Sequence, residues 1–218
     1  MNLLEDLTSL SAIPAIVLLG VTSLVLLLSS DWRLSLLALS LQYLGVFFLI
    51  LIDWSFAMSA VKLIAGWMAA AILGIAILSL PSPEPGVQTG KTPGKPFIFK
   101  SLGLEILSGR VVALLTAVLV WLMVITFAPR MVSWVPDLDP AQAWGGMLLI
   151  GMGLFQLGFS SRPFSIVLGL LTFMAGFEIL YSVIEPSALV TGLLAGITLA
   201  IALVGAYLQL SPNMEEDE

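Results

Sequence analysis

The sequence predicts an all-α fold, a polytopic helical membrane protein with about seven transmembrane helices. Composition is the first reason: 59% of the 218 residues are hydrophobic and only 10% are charged, with a mean hydropathy of +1.10. A soluble domain carries about 25% charged residues, so this chain cannot bury its apolar excess in water. The apolar residues also form continuous runs and do not alternate with polar ones, which excludes an outer-membrane β-barrel.

Charged residues divide the chain into apolar runs long enough to cross a bilayer. A helix needs about 20 apolar residues to span the hydrocarbon core. Two of the predicted helices each contain one charge, Lys62 in the third and Glu178 in the sixth. The predicted helices lie near residues 11–29, 34–52, 55–79, 109–128, 144–160, 163–184 and 187–210.

The two ends of the chain resemble each other, which predicts an internal duplication. LIAGWMAAAILG (63–74) is similar to LLAGITLAIALVG (193–205), and Ser29-Ser30 corresponds to Ser160-Ser161, at an offset of 130 or 131 residues. The fourth helix restores the chain direction, so the two three-helix repeats are predicted to be parallel. The predicted organisation is a first three-helix membrane unit (1–80), a Pro/Gly-rich cytoplasmic linker (81–108), a connecting helix with an outer loop (109–143), a second three-helix membrane unit (144–210) and an acidic tail (211–218).

The basic residues predict how the chain is oriented. With seven spans, the loops on one side contain six basic residues and those on the other contain only Arg130. By the positive-inside rule, the richer side is cytoplasmic. We therefore expect a multi-pass protein of the cell inner or plasma membrane, with its N-terminus outside and its C-terminus in the cytoplasm. The six residues are Arg33, Lys91, Lys95, Lys100, Arg110 and Arg162.

The residues that the chain lacks exclude several classes of function. It contains no Cys and no His, which excludes iron–sulfur clusters, thiolate or imidazole zinc sites and Ser-His-Asp or Cys-His catalysis. We therefore expect no catalytic centre, no metal and no cofactor in this chain. With only eight Lys and Arg residues, no nucleic-acid partner is expected. The expected surroundings are the lipid bilayer.

The two intramembrane charges are the leading candidate site residues. Glu178 lies about 9 Å and Lys62 about 10 Å below the same predicted outer surface, at 1.5 Å per helical residue. A charge in the bilayer normally faces protein or water and has a partner. We therefore expect Lys62 and Glu178 to form an ion pair across the two repeats. The pair is either static, with Lys62 alternatively extending to the interface, or part of a proton relay through Glu178.

Other polar residues are secondary candidates. Gln42 and Thr172 occupy corresponding positions in the two repeats, and hydrogen bonds between helices explain both adequately. Asp53 and Glu185 end the second and sixth helices at equivalent positions, where they either shape an outer opening or mark the water boundary.

Small residues predict close helix packing in the seventh helix. Gly192-x-x-x-Gly196 is a motif that permits close approach of helices. We expect it to serve contacts within one subunit, with dimerisation as the alternative.

At Gly176-Phe177-Glu178-Ile179-Leu180 the chain resembles the K chain of bacterial complex I, a three-helix subunit. In that resemblance, Glu178 takes the position of the family's intramembrane glutamate, and LVGAYLQL (203–210) matches the close of its third helix. Trp32-Arg33-Leu34-Ser35 and Gln42 are similar to a segment of component E of the formate-hydrogenlyase type of membrane hydrogenase. The chain also resembles, as a third family, the C chain of multisubunit cation/proton antiporters.

The resemblance implies a non-catalytic subunit of a proton-translocating membrane complex. It also implies larger antiporter-like membrane subunits as partners. The chain departs from the family where a second glutamate is usual: Ile197-Thr198-Leu199-Ala200 has none, and Thr198 is only a secondary polar candidate. Two other functions remain open, a free-standing small transporter or channel built around Lys62 and Glu178, and a structural or assembly protein.

Overall fold

A computed structural model describes residues 2–29, 31–80, 109–160, 162–185 and 187–214. Across these ranges the chain is all-helical, as predicted, and forms seven helices. They are α1 (Asn2–Leu28), α2 (Trp32–Ile50), α3 (Phe56–Leu78), α4 (Gly109–Trp134), α5 (Pro140–Phe159), α6 (Pro163–Ser182) and α7 (Ala188–Met214). The predicted linker (81–108) lies outside the described residues.

Five of the helices are long and apolar enough to cross a membrane. The described apolar part of α1, Ile13–Leu28, is shorter. Helix α5 is less apolar because it includes Gln142, Gln156 and several glycines. The protein is therefore a multi-pass helical membrane protein, and crossings by α1 and α5 remain predictions. The five candidate spans are Trp32–Ile50, Phe56–Leu78, Val111–Trp134, Pro163–Ser182 and Ala188–Ser211.

Several helices extend beyond the limits predicted from charge spacing. Helix α1 begins at Asn2 and not near residue 11, and α7 continues to Met214, into the predicted acidic tail. Helix α5 begins at Pro140, before the predicted start at 144, because Asp139 caps it. The Asp139 carboxylate accepts a hydrogen bond from the Ala141 N–H at 2.7 Å, and the Gln142 side chain accepts one from the Asp139 N–H.

Contacts between helix ends define the two ends of the bundle. At one end, here called the Trp54 end, the Trp54 indole follows α2 and donates to the carbonyl of Ser182, the last residue of α6. Gln142 at the start of α5 donates to the Leu49 carbonyl near the end of α2. At the other end, the Ser29 end, Ser29 after α1 and Phe159 at the end of α5 line one cavity.

These contacts place corresponding helices of the two repeats in the same direction. Helices α1 and α5 run from the Trp54 end to the Ser29 end, and α2 and α6 run back. Helix α1 contacts α5, α2 contacts α6 and α3 contacts α7, while α4 packs against α5 and α1. The described chain therefore has the parallel arrangement that the sequence repeat predicts.

Helices α5 and α6 pack with their backbones in close contact because glycines remove the side chains between them. A Cβ atom placed on Gly176 would lie 2.6 Å from the Gly146 carbonyl oxygen. A Cβ atom on Gly153 would lie 2.5 Å from the backbone nitrogen of Phe173. Real Cβ atoms do not approach backbone atoms so closely, so these positions require glycine.

The Gly192-x-x-x-Gly196 motif does not make the contact within the subunit that the sequence predicts. Both glycines are exposed, and Cβ atoms placed on them would meet nothing within 4 Å among the described residues. The short sequence motif gives no information on which face of α7 meets the bundle. Helix α7 instead contacts α3 and α6 through its opposite face.

Replacing Gly176 by alanine is expected to destabilise the fold by about 1–3 kcal/mol, since the new methyl group overpacks the α5–α6 contact. Gly192→Ala is the matched control: it adds the same methyl group to an open helix face and should be neutral or slightly stabilising. Thermal unfolding of the detergent-purified protein, followed by circular dichroism, measures both. Equal melting temperatures for the two variants would contradict the close α5–α6 packing.

Candidate intramembrane charge site

Lys62 and Glu178 form a buried ion pair. The Lys62 Nζ atom lies 2.7 Å from Glu178 Oε1, and each side chain is 1% exposed. Among the side chains whose burial the structure describes, which begin at residue 13, they are the only charged ones that are buried. Lys62 lies in the second turn of α3 and Glu178 in the second-last turn of α6, which brings both to similar depths near the Trp54 end. The pairing predicted from depth is present, whereas a proton relay stays a prediction.

The two oxygens of Glu178 have different surroundings. Oε1 accepts hydrogen bonds from Lys62 and, at 3.3 Å, from the Thr198 hydroxyl, which also lies 3.0 Å from the Leu194 carbonyl oxygen. Oε2 is buried and has no hydrogen-bond partner among the described residues. One oxygen therefore holds the ion pair, while the other is a buried acceptor that can still bind a proton or water.

Tyr43 brings α2 to the same site. Its ring lies against α3 at Gly66, where a Cβ atom would be 2.1 Å from Tyr43 Cγ, so only glycine fits one turn after Lys62. The buried Tyr43 hydroxyl lies near Glu178 and close to the Thr198 hydroxyl, but has no partner at hydrogen-bond distance and angle among the described residues. Side chains of α2, α3, α6 and α7, and thus of both predicted repeats, meet at this point.

Gln42 and Thr172 are buried, 0% and 1% exposed, but do not make the interhelical hydrogen bonds expected from sequence. Both polar atoms of the Gln42 amide and the Thr172 hydroxyl lack partners among the described residues. That expectation is wrong, because the two residues enter the core without meeting a donor or acceptor on a neighbouring helix. A buried polar group without a partner is destabilising.

A second polar contact joins the two repeats at the Trp54 end. Besides the Leu49 carbonyl at 3.1 Å, the Gln142 amide donates to the Asp53 carboxylate. Asp53 is exposed as a residue, but partial desolvation of its carboxyl raises the pKa above its usual value; the Gln142 hydrogen bond lowers the pKa, and the negative charges of Asp139 and Asp137 raise it. Asp53 therefore holds its proton to higher pH in the folded protein.

The structure thus places the sequence candidates in different surroundings. Thr198 joins the ion pair, Asp53 takes part in the Gln142 contact, and Glu185 is exposed. Tyr43 and Gln142 are two residues of these contacts that were not predicted from the sequence. The Asp-Pro-Ala-Gln sequence of residues 139–142 carries a helix-capping signal that points to Gln142, whereas no signal in the sequence singles out Tyr43.

No protein-family model, curated protein or solved structure matches this chain. Its similarity to the complex I, hydrogenase and antiporter subunits therefore remains an expectation based on short motifs.

Removing one member of the ion pair should destabilise the fold more than removing both. Lys62→Met or Glu178→Leu leaves a buried charge without a partner, with an expected loss of about 3–5 kcal/mol. The double variant replaces the pair with apolar side chains and should be close to wild type in stability. Thermal unfolding in detergent measures all three; additive losses in the double variant would show that the charges are not coupled.

The stability of the protein should fall as the pH rises through the folded pKa of Asp53. The raised pKa means that the folded state keeps a proton that the unfolded chain releases near pH 4, so stability is highest below about pH 4 and decreases above it. Asp53→Asn should remove this pH dependence of the stability. Glu185→Gln, at another carboxylate of the same end, should retain it. Melting temperatures measured in steps from acid to neutral pH test this; identical profiles for wild type and Asp53→Asn would contradict it.

Proposed function

We propose that this chain is a non-catalytic integral membrane subunit of a proton-translocating complex, of the complex-I-like, hydrogenase-like or multisubunit antiporter kind. One observation carries the proposal: a fully buried carboxylate, Glu178, is paired through one oxygen to Lys62 and has its other oxygen unpartnered. Ionisable groups inside a membrane bundle are rare and characteristic of proton and ion pathways.

The arrangement suits the transfer of a proton. Lys62 and the Thr198 hydroxyl stabilise the charged form of Glu178 at Oε1, while Oε2 is the oxygen at which a proton can bind and leave. Protonation weakens the attraction to Lys62 and so couples proton uptake to the contact between α3 and α6. The proposed roles are those of Glu178 as the exchanging group and Lys62 as its counter-charge.

The proposal assigns redox or hydrolytic chemistry to partner subunits, because a chain without Cys or His has few groups for it. Larger antiporter-like membrane subunits are the proposed partners, and the cytoplasmic membrane with the Ser29 end inward is the proposed setting. The basic residues Arg33 and Arg162, which adjoin the starts of α2 and α6 at that end, support this orientation.

A second candidate is a free-standing small transporter. It is favoured by the convergence of α2, α3, α6 and α7 from both repeats on a single charged site. Purification in mild detergent separates the two functions, since a subunit should migrate with larger polytopic proteins. Migration as a monomer or small homo-oligomer would contradict the subunit proposal.

Glu178→Gln should abolish proton movement by the assembled complex in proteoliposomes, measured with a pH-sensitive dye, because the amide cannot exchange a proton. The Lys62→Met/Glu178→Leu variant, expected to be stable, should also be inactive, which separates transport from folding. Asp137→Asn removes an exposed carboxylate and should leave transport unchanged. If the ion-pair variants fail to assemble into the complex, but the complex that does form still moves protons, the ion pair is structural.

A further inference from the structure

The two ends of the bundle differ in how their buried polar groups are satisfied. At the Trp54 end, the hydroxyls of Ser59, Ser182 and Thr191 each donate to the backbone carbonyl three or four residues earlier in the chain, at 3.2, 2.7 and 2.9 Å. The buried Trp54 indole donates to the Ser182 carbonyl between α2 and α6. The described groups between the ion pair and this end therefore offer water few free partners.

At the Ser29 end, the described residues leave open space between the helices. Two adjoining cavities of about 330 and 250 Å³ lie there and share Ser29, Ser160 and Ser165 among their lining residues. We call this space the vestibule. Ser35 and Leu168 line one of its cavities, and Gln156, which is 5% exposed, lines the other. Hydroxyl and amide groups at this volume can hold several water molecules.

Unpartnered polar groups continue from the vestibule towards the ion pair. Along α6, Thr172 lies one turn beyond Leu168, about 6 Å, and Glu178 lies about 9 Å further. On α2, which contacts α6, Gln42 follows Ser35 by two turns and adjoins Tyr43. Gln42, Tyr43, Thr172 and Glu178 supply every buried side-chain atom that lacks a hydrogen-bond partner among the described residues.

We infer that water enters this protein from the vestibule and reaches Glu178 past Thr172 and Gln42, while the Trp54 end is closed. Buried polar groups in proteins are normally bonded to protein or to internal water, so a row of unpartnered groups beside a polar cavity indicates hydration. Two buried apolar residues adjoin the route, Leu39 on α2 between Ser35 and Gln42, and Leu168 on α6 where the vestibule ends, and we expect them to restrict passage. The inference deepens the proposed function, because it gives Glu178 access to one side only.

Cysteine accessibility tests the route directly, since the chain has no Cys and each variant would carry a single thiol. Gln42→Cys and Thr172→Cys sample the route, and Ser59→Cys and Ser182→Cys are equally buried controls on the other side of Glu178. Silver ions are applied to either side of membrane vesicles holding the assembled protein. Blocked thiols are then counted by mass spectrometry, and Ser29→Cys identifies the vestibule side.

We expect Gln42→Cys and Thr172→Cys to react about tenfold faster than the two controls, as hydrated positions do relative to closed packing, and only from the side where Ser29→Cys reacts. Equal rates, faster reaction at Ser59→Cys or Ser182→Cys, or reaction confined to Ser29→Cys would overturn the inference.

Should the cysteine variants fail to fold, a water-soluble carbodiimide on the wild-type protein replaces them. Labelling of Glu178 from the vestibule side supports the route; labelling from the other side, or from neither, rejects it.

The thiol measurements and the Glu178→Gln transport assay test the water route and the proposed function separately. If Glu178→Gln leaves proton movement unchanged while the thiol pattern holds, the proton role fails and the hydrated route stands. If Glu178→Gln abolishes proton movement but the thiols react equally, the one-sided route fails alone.

Discussion

The Lys62–Glu178 ion pair sets conditions that the surrounding bundle has to meet. A buried charge is costly unless its partner is close and well oriented, so α3 and α6 must bring the two side chains to one depth and hold them there. The two helices belong to different repeats, and their side chains meet near the same end because the repeats are parallel. The Trp54–Ser182 and Gln142–Leu49 hydrogen bonds fix that register beside the pair. The charged site and the fold are thus mutually dependent.

Glycine makes this geometry possible, since lipid-exposed helices gain little from hydrophobic burial against one another. Close approach of backbones is what stabilises such a bundle. Gly176 and Gly153 allow the backbones of α5 and α6 to approach each other closely. Gly66 leaves room for the Tyr43 ring beside the ion pair. The exposed glycines of α7 show that the motif alone does not have this effect; a helix must face its glycine towards a partner.

Depth in the membrane could be predicted from the sequence, whereas direction around a helix axis could not. Charge spacing gives the depth of Lys62 and Glu178 along their helices. Similar depth and opposite charge are enough to predict the pair. Whether Gln42 and Thr172 meet partners, and whether Gly192 faces the bundle, depends on rotation about the axis. Continuous apolar runs carry little of that information, because almost every face of these helices is apolar. Helix starts were missed where a cap such as Asp139 lies among loop residues.

The duplicated scaffold carries its charged site only once. At an offset of 131 residues, Glu178 corresponds to Phe47 and Lys62 to Leu193, so the related position has no charge. One buried carboxylate near the Trp54 end does not by itself connect the two faces of a membrane. A proton that reaches Glu178 from the vestibule has to return the same way or pass sideways to a group on another protein. This is the physical reason for preferring a subunit role over a free-standing channel, since a channel would need a second polar station within the chain.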